Sequence, residues 1–439
     1  MGAPAVTVVG AGLAGCEAAL LLAAGGLSVR LHEQKPGRRS PAHRLDGPAE
    51  LVCSNSLKST RTDTAQGLLK AELRRLGSRL LHLAEACALP AGTALAVDPA
   101  RFSEAVAAAL DAEPRVEMVQ GEAMALPDTT AAPAIVATGP LTSDALGAAI
   151  EAHVGRGRLS FYDAIAPTVT RESLDDARLF AASRYGKGDP DYLNAPLDED
   201  EYHAFVAALT GAERFPPRDF EAGVPFFEAC LPVEEIAVRG PETLAHGPMR
   251  PVGLTDPATG RRPHAVLQLR RENAAGTLWG LVGCQTQLKR GEQRRVFRLI
   301  PALARAEFAR YGAVHRNFFL DWPAALTHFQ ESRCQAGLFF AGQMTGVEGY
   351  VESVASGLLA ARHVLDQYFG RDPQLPPVTT LMGSLPRFLA SQEPGRGQPM
   401  NVSFGLLPPL PGKRRGKRER GAAHARRSLA DLEAWLASR

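Results

Sequence analysis

Residues 5–33, AVTVVGAGLAGCEAALLLAAGGLSVRLHE, leave this chain few choices of fold. A β-branched run ends in glycine, a tight turn follows, an alanine- and leucine-rich stretch reads as helix, and SVRLHE reads as the next strand. Gly10, Gly12 and Gly15 fill the pattern G-x-G-x-x-G, with Ala11, Leu13 and Ala14 between them, and Glu33 follows eighteen residues after Gly15. The first glycine permits the turn, the second lets backbone approach a pyrophosphate, and the third lets helix pack on strand. Phosphate would sit at the helix N-terminus and Glu33 would accept from a ribose hydroxyl. The spacing therefore predicts a dinucleotide site, without separating FAD from NAD.

A chain of 439 residues is too long for one ordinary core. PAIVATGP at 133–140 predicts a further buried strand, and helices are predicted within 61–87 and 101–112. GLFFAGQMTGVEGYVESVASGLLAARHVL at 337–365 repeats the opening order of strand, glycine loop and helix. Between 159 and 325 the character changes, and many Pro and Gly residues punctuate short strands. The expected fold class is α/β: a Rossmann-like nucleotide domain in residues 1–165 and 326–410, interrupted by a mixed α+β insertion domain at 166–325. A basic tail with a short helix, SLADLEAWLASR, closes the chain at 411–439.

Net charge is only +2, but between Lys413 and Arg427 eight Lys or Arg stand against one Glu. Such a cluster, with Lys413, Arg414, Arg415, Lys417 and Arg418 at its head, could meet phosphate or could be a solvated end. No 18-residue apolar run and no cleavable leader is found, so the expectation is a cytoplasmic protein without a membrane partner. The six cysteines form no CxxC pair and no zinc spacing, which argues against a disulfide framework or structural metal.

Cys53 stands apart because Ser54, Asn55 and Ser56 follow it and Lys58 lies five positions on, able to lower a thiol pKa if it folds back. Cys230 sits in FFEACLPVEEIA, where Pro232 breaks regular structure. From these residues alone, each could be a packing thiol or a reactive one. Cys16, Cys87, Cys284 and Cys334 are expected to be packing or surface residues.

Taken together, GAGLAGCEAA, CSNSLKS, FYDAIAPTV, EACLPVEEIA, HGPMRPVGL, AGQMTGVEGYVESVASGL and PMNVSFGLLPPL resemble the folate- and FAD-dependent tRNA uridine-5-methyltransferases of the TrmFO family. The resemblance runs from residue 7 to about 410. It differs from the longer GidA group, which modifies wobble uridines, in the short segment after the last cofactor helix. Glu33-Gln34-Lys35-Pro36 replaces an expected Glu-Met-Arg-Pro, and Cys16 stands where Ser or Ala would be ordinary.

The resemblance implies FAD as the nucleotide. It would be held by the first glycine turn, Glu33, Gln34, Lys35, Ser54, Asn55 and Ser56, and by Gly342, Gln343, Gly349 and Tyr350 of the late loop, whose amides and helix dipole favour a reduced flavin. It also implies carbon transfer from 5,10-methylenetetrahydrofolate to a T-loop uridine of tRNA, releasing tetrahydrofolate, with NADPH or NADH recharging the flavin. Uracil C5 is a poor nucleophile until a thiolate adds at C6. One of Cys53 and Cys230 is expected to add there, with Cys53 preferred, and the other to act as acid/base at C5.

A flat pterin calls for an aromatic or imidazole lid, for which His246 is the candidate. Arg270, Arg271, Lys289, Arg290, Arg294 and Arg295 could add backbone contacts to RNA. A GidA-like wobble-uridine enzyme, a small-molecule flavin oxidoreductase and a non-catalytic RNA-binding flavoprotein are the competing readings.

Overall fold

The structure, a computed structural model, describes residues 5–40, 42–155, 159–186, 188–215, 231–412 and 416–439, and of 159–163, 315 and 316 it describes the backbone alone. The β-branched opening run forms the strand Val6–Val9, and the small apolar residues after the turn form the helix Leu13–Ala24, buried along most of its length. Both strands predicted beside it appear, and the sheet is parallel throughout. Its order is Leu338–Phe340, Ala134–Val136, Val6–Val9, Val29–Glu33, Val116–Gln120. The opening strand is thus central, and the late strand joins the same sheet beside Ala134–Val136. The helix that follows it, Tyr350–Tyr368, packs along Leu13–Ala24. One fold is closed by two segments more than 300 residues apart.

The insertion has its own core, running from Val169 to Ala306 in sequence. A six-stranded antiparallel sheet, ordered Phe180–Ala181, Tyr192–Leu197, Ala265–Arg271, Leu278–Leu281, Thr168–Thr170, Phe308–Arg310, underlies it. Helix Glu199–Thr210 starts with a capping box: the Asp198 carboxylate accepts the Glu201 N–H at 2.8 Å, while the Glu201 carboxylate accepts the Asp198 N–H at 3.1 Å. Chain enters and leaves through an antiparallel ribbon, Leu159–Ile165 against Ala313–Phe319. Phe318, Phe319, Leu320, Trp322 and Leu326 already pack in the nucleotide core. The returning strand's last apolar residues are thus buried against the first domain.

The C-terminal segment differs more from its expected form. Its helix begins at Lys417, spans 21 residues to Ala437, and docks instead of trailing. Ala425 and Leu432 enter the nucleotide core, and the Ser428 hydroxyl donates to the buried Glu72 carboxylate at 2.6 Å. That carboxylate also accepts the N–H groups of Leu381 and Met382 at 2.9 and 2.8 Å, where helix Leu381–Ala390 starts, while burial pushes it up to about 7. The arginine-rich first half of the docked helix reads as solvated chain because its contacts are polar and local periodicity does not register them.

His363, in the helix Tyr350–Tyr368, gives the fold an acid-sensitive point. Its Nδ1 lies 2.8 Å from the Phe329 carbonyl, so that nitrogen carries the proton, and Nε2 is buried with no partner among the described residues. Burial lowers its pKa from 6.5 to about 4. Between those values the unfolded chain binds a proton that the folded chain refuses, so stability is fully present above pH 6.5 and is lost as pH falls toward 4. At about 1.4 kcal/mol per pH unit the whole shift is worth about 3 kcal/mol, and about 2 kcal/mol of it is gone at pH 5. Denaturant unfolding at pH 7 and pH 5 should show a loss smaller by that amount in His363→Gln, whose amide still donates to Phe329 but does not titrate. Equal losses in both proteins would refute the assignment.

Candidate active site

The first glycine turn and the strand after the first helix share one cavity. It is lined by Gly10, Ala11, Gly12, Glu33, Gln34 and Lys35, with Glu122, Thr138 and Leu141 opposite. The Glu33 carboxylate accepts the N–H groups of Ala11 and Lys35 at 2.8 and 2.9 Å, which fixes it at the strand end with lone pairs left for a diol. Lys35 is buried; its ammonium donates to the Gly47 carbonyl at 2.6 Å and pairs with Glu50 at 3.2 Å. Leu13 and Ala14 are buried in the helix start, so their contribution is packing behind the turn. A backbone cradle ending in an oriented acid fits the ADP half of a dinucleotide.

Cys53 lies in the loop that leads into the small antiparallel sheet of Ser56–Ser59, Ala94–Val97 and Ala88–Leu89. Its backbone N–H donates to the Tyr350 hydroxyl at 2.8 Å, and the N–H of Ser54 donates to the same oxygen at 3.1 Å. Tyr350 is the first residue of the helix that follows the late glycine loop. Two segments 297 residues apart are thereby pinned by one phenol. Burial, then the charge of Cys53, raise the Tyr350 pKa well above the ordinary phenol value, which keeps the hydroxyl protonated. Gln343 in the same loop donates to the Glu348 carboxylate at 2.9 Å, while Gly342 and Gly349 take left-handed backbone at its two ends.

The polar residues after the thiol divide their work. Ser54 and Ser56 hydroxyls accept the N–H groups of Ser56 and Lys58 at 3.4 and 3.2 Å, closing the loop on itself. Asn55 is fully buried, and its amide donates to the carbonyls of Val97 and Arg271 at 3.1 and 3.0 Å, which ties the nucleotide domain to the insertion. The Lys58 ammonium donates to the Asn401 side-chain carbonyl of the PMNVSFG segment.

Arginine supplies a feature that motif reading passes over. Arg310, on the edge strand of the insertion, is close enough to Tyr350 to act on its hydroxyl, and its Nε is buried with no partner among the described residues. Arg44 feels the charges of both Arg310 and Arg290, and these, after burial, hold its pKa down. Arg44 thus lies within electrostatic reach of Arg290 and Arg310, and Arg310 within reach of Tyr350, which anchors the thiol loop. Only Arg290 stood out in the sequence, as one of a surface series; the signal for the others is their convergence in space.

Other expected residues lie elsewhere. His246 is exposed at the end of the short helix Thr243–His246, with Nδ1 3.0 Å from the Glu242 carbonyl. It lines a cleft built from residues 177–264, which shares no residue with the cavity at the glycine turn. His246 is thus placed in that cleft of the insertion, apart from the cavity at the glycine turn. Arg270 pairs with Glu272, Lys289 with Glu213, Arg295 with Glu292 and Arg418 with Asp63, while Arg271 lies over Trp279 and Arg294 donates to the Tyr311 hydroxyl. Lys417 is exposed at the start of the C-terminal helix. Cys230, Lys413, Arg414 and Arg415 lie outside the described residues. Cys16, Cys87 and Cys284 are buried packing thiols, as expected, and burial pushes Cys284 up to about 12; Cys334 is at the surface.

Residues 5–372 match the family described as Glucose inhibited division protein A. A methylenetetrahydrofolate--tRNA-(uracil-5-)-methyltransferase TrmFO of Anaeromyxobacter dehalogenans is 55% identical over 99% of this chain and 97% of its own length. The protein of the same name from Geobacter sulfurreducens is 53% identical, covering 99% of each. Among solved structures, the form I crystal of Aquifex aeolicus GidA superposes with a TM-score of 0.70 over 99% of this chain and 76% of that one, at 16% identity. At that identity the likeness speaks for the fold.

Proposed function

This chain belongs to the Glucose inhibited division protein A family and, within it, to the TrmFO group, and we propose that it transfers a one-carbon unit from 5,10-methylenetetrahydrofolate to C5 of a T-loop uridine in tRNA. The observation that carries the reading is the anchoring of the Cys53 loop on Tyr350, which sets a thiol against the helix that follows the late glycine loop. FAD, held at the Gly10–Gly15 turn and the Gly342–Tyr350 loop and reduced by NADPH or NADH, would supply the two electrons that convert the transferred carbon to a methyl group.

The chain's own groups account for the rest. The Cys53 thiolate adds to C6 of uracil, which turns C5 into an enolate carbon able to attack the methylene. Cys230 removes the C5 proton as tetrahydrofolate leaves, which gives an exocyclic methylene at C5; once a hydride supplied there has made it a methyl group, the enolate electrons return to C5–C6 and expel the Cys53 thiolate. Arg310, within reach of Tyr350, and Arg44 and Arg290 suit the phosphates of a nucleotide swung out of its stack, which a base inside a folded tRNA loop requires. Both tRNA and reduced folate are at hand in the cytoplasm, where we place the reaction.

The test is direct. Purified protein given FAD, NADPH, methylenetetrahydrofolate and tRNA lacking T-loop modification should form 5-methyluridine in that loop, measured by nucleoside mass spectrometry. Product confined to the anticodon loop would favour the wobble-uridine reading. NADPH oxidation with a metabolite and no modified nucleoside would favour a small-molecule oxidoreductase.

A further inference from the structure

Helix Glu199–Thr210, the turn before the short helix Thr243–His246, and the residue before strand Ala265–Arg271 converge at one point of the insertion. They bring together His203, Glu242 and His264, whose ligand atoms all lie within 4.8 Å of one another. Nε2 of His203 is 3.3 Å from one carboxylate oxygen of Glu242, and Nε2 of His264 is 3.1 Å from the other. We propose that His203, Glu242 and His264 form a binding site for a divalent transition metal of the zinc type.

Three observations carry this. Two imidazoles and a carboxylate are a donor set suited to zinc, and the three ligand atoms lie within 4.8 Å of one another, so small side-chain shifts reach the roughly 3.4 Å separations set by a tetrahedral ion with bonds of about 2.1 Å. The side chains are also held in place. The Tyr202 ring packs on both imidazoles, with centroids 5.3 Å from His203 and 4.9 Å from His264. Its buried hydroxyl donates to the Pro241 carbonyl at 2.8 Å and accepts the Ala245 N–H at 3.1 Å, so it fixes the turn that carries Glu242. Support of this kind is what orients metal ligands and narrows their choice of rotamer.

Glu242 and His264 also line the insertion's cleft, of about 1170 Å³, which leaves a fourth coordination position open to water or an incoming anion. Arg250, Arg261 and Arg262 line the same cleft, so an anion bound to the ion would meet positive charge. The site uses none of the residues of the thiol loop or the glycine turn and stands independently of the methyl-transfer reading. Its alternative is a pair of histidine–carboxylate contacts that hold no ion.

Co²⁺ distinguishes the two. The full chain, stripped with chelator and titrated with CoCl₂, should bind one equivalent and develop the intense visible absorption of a tetrahedral centre, which ZnCl₂ then bleaches. His264→Asn and Glu242→Gln should each weaken Co²⁺ binding by at least about tenfold. His203→Asn, on a half-exposed helix position, repeats the test with little risk to folding. Absence of stoichiometric binding by the parent chain overturns the proposal. So does binding that persists unchanged in the variants, and a sulfur-to-metal absorption band surviving there would assign the ion to a cysteine.

Discussion

Cys53→Ala should lower methyl transfer at least about 1000-fold while tRNA binding and flavin content stay at the parent level. The separation follows from how the loop is held. Tyr350 receives the backbone N–H groups of Cys53 and Ser54, and alanine keeps both donors, so the loop retains its anchor when the sulfur is gone. Tyr350→Phe does the reverse: it leaves the sulfur and removes the acceptor for two amides, each costing about 1 kcal/mol or more. Its expected signature is a lower melting temperature and a partial loss of rate. Single-turnover formation of 5-methyluridine, with flavin absorbance read on the same samples, separates the two variants. If Cys53→Ala retains more than a tenth of the rate, the sulfur is a packing group and the proposed chemistry moves elsewhere.

Gly15→Ala should yield protein without bound flavin and with reduced stability. A Cβ on Gly15 would stand 1.8 Å from the Gly10 carbonyl oxygen, so helix Leu13–Ala24 must lift off the central strand. Overpacking of this kind typically costs about 1–3 kcal/mol, and the displaced helix carries the phosphate-facing amides with it. Gly12→Ala provides the contrast. Its Cβ would meet nothing closer than the Ala137 carbonyl at 3.9 Å, so the fold tolerates it, yet it projects toward the cofactor cavity that Gly12 lines. Gly12→Ala should therefore melt near the parent temperature and still bind flavin more weakly. Unchanged melting of Gly15→Ala would show that the helix start has slack the packing does not reveal.

The two glycines mark how far the chain can be read without coordinates. The strand, turn, helix and Glu33 are local, and each is set by residues within a few positions of one another, so Val6–Val9, Leu13–Ala24 and Val29–Glu33 appear as expected. The late strand and helix, Leu338–Phe340 and Tyr350–Tyr368, are legible for the same reason. The docked helix Lys417–Ala437 was only half legible, since the Ser428–Glu72 and Arg75–Glu433 contacts that hold it reach across the whole chain. The placement of His246 in a cleft of the insertion was not legible, because an imidazole in a distinctive motif carries no information about which surface it reaches.

Local hydrophobic period and glycine spacing determined the fold class and the nucleotide end, while the polar residues after Cys53 and the family resemblance made it the thiol to watch. Only the tertiary structure decided that Tyr350 holds that thiol's loop, that Asn55 ties the domains together and that Arg44 and Arg310 come within electrostatic reach of each other. The physical reason is range. Backbone propensity acts over a turn or two, whereas a hydrogen bond between residues 297 positions apart exists only after the intervening insertion has folded and returned the chain to the same sheet.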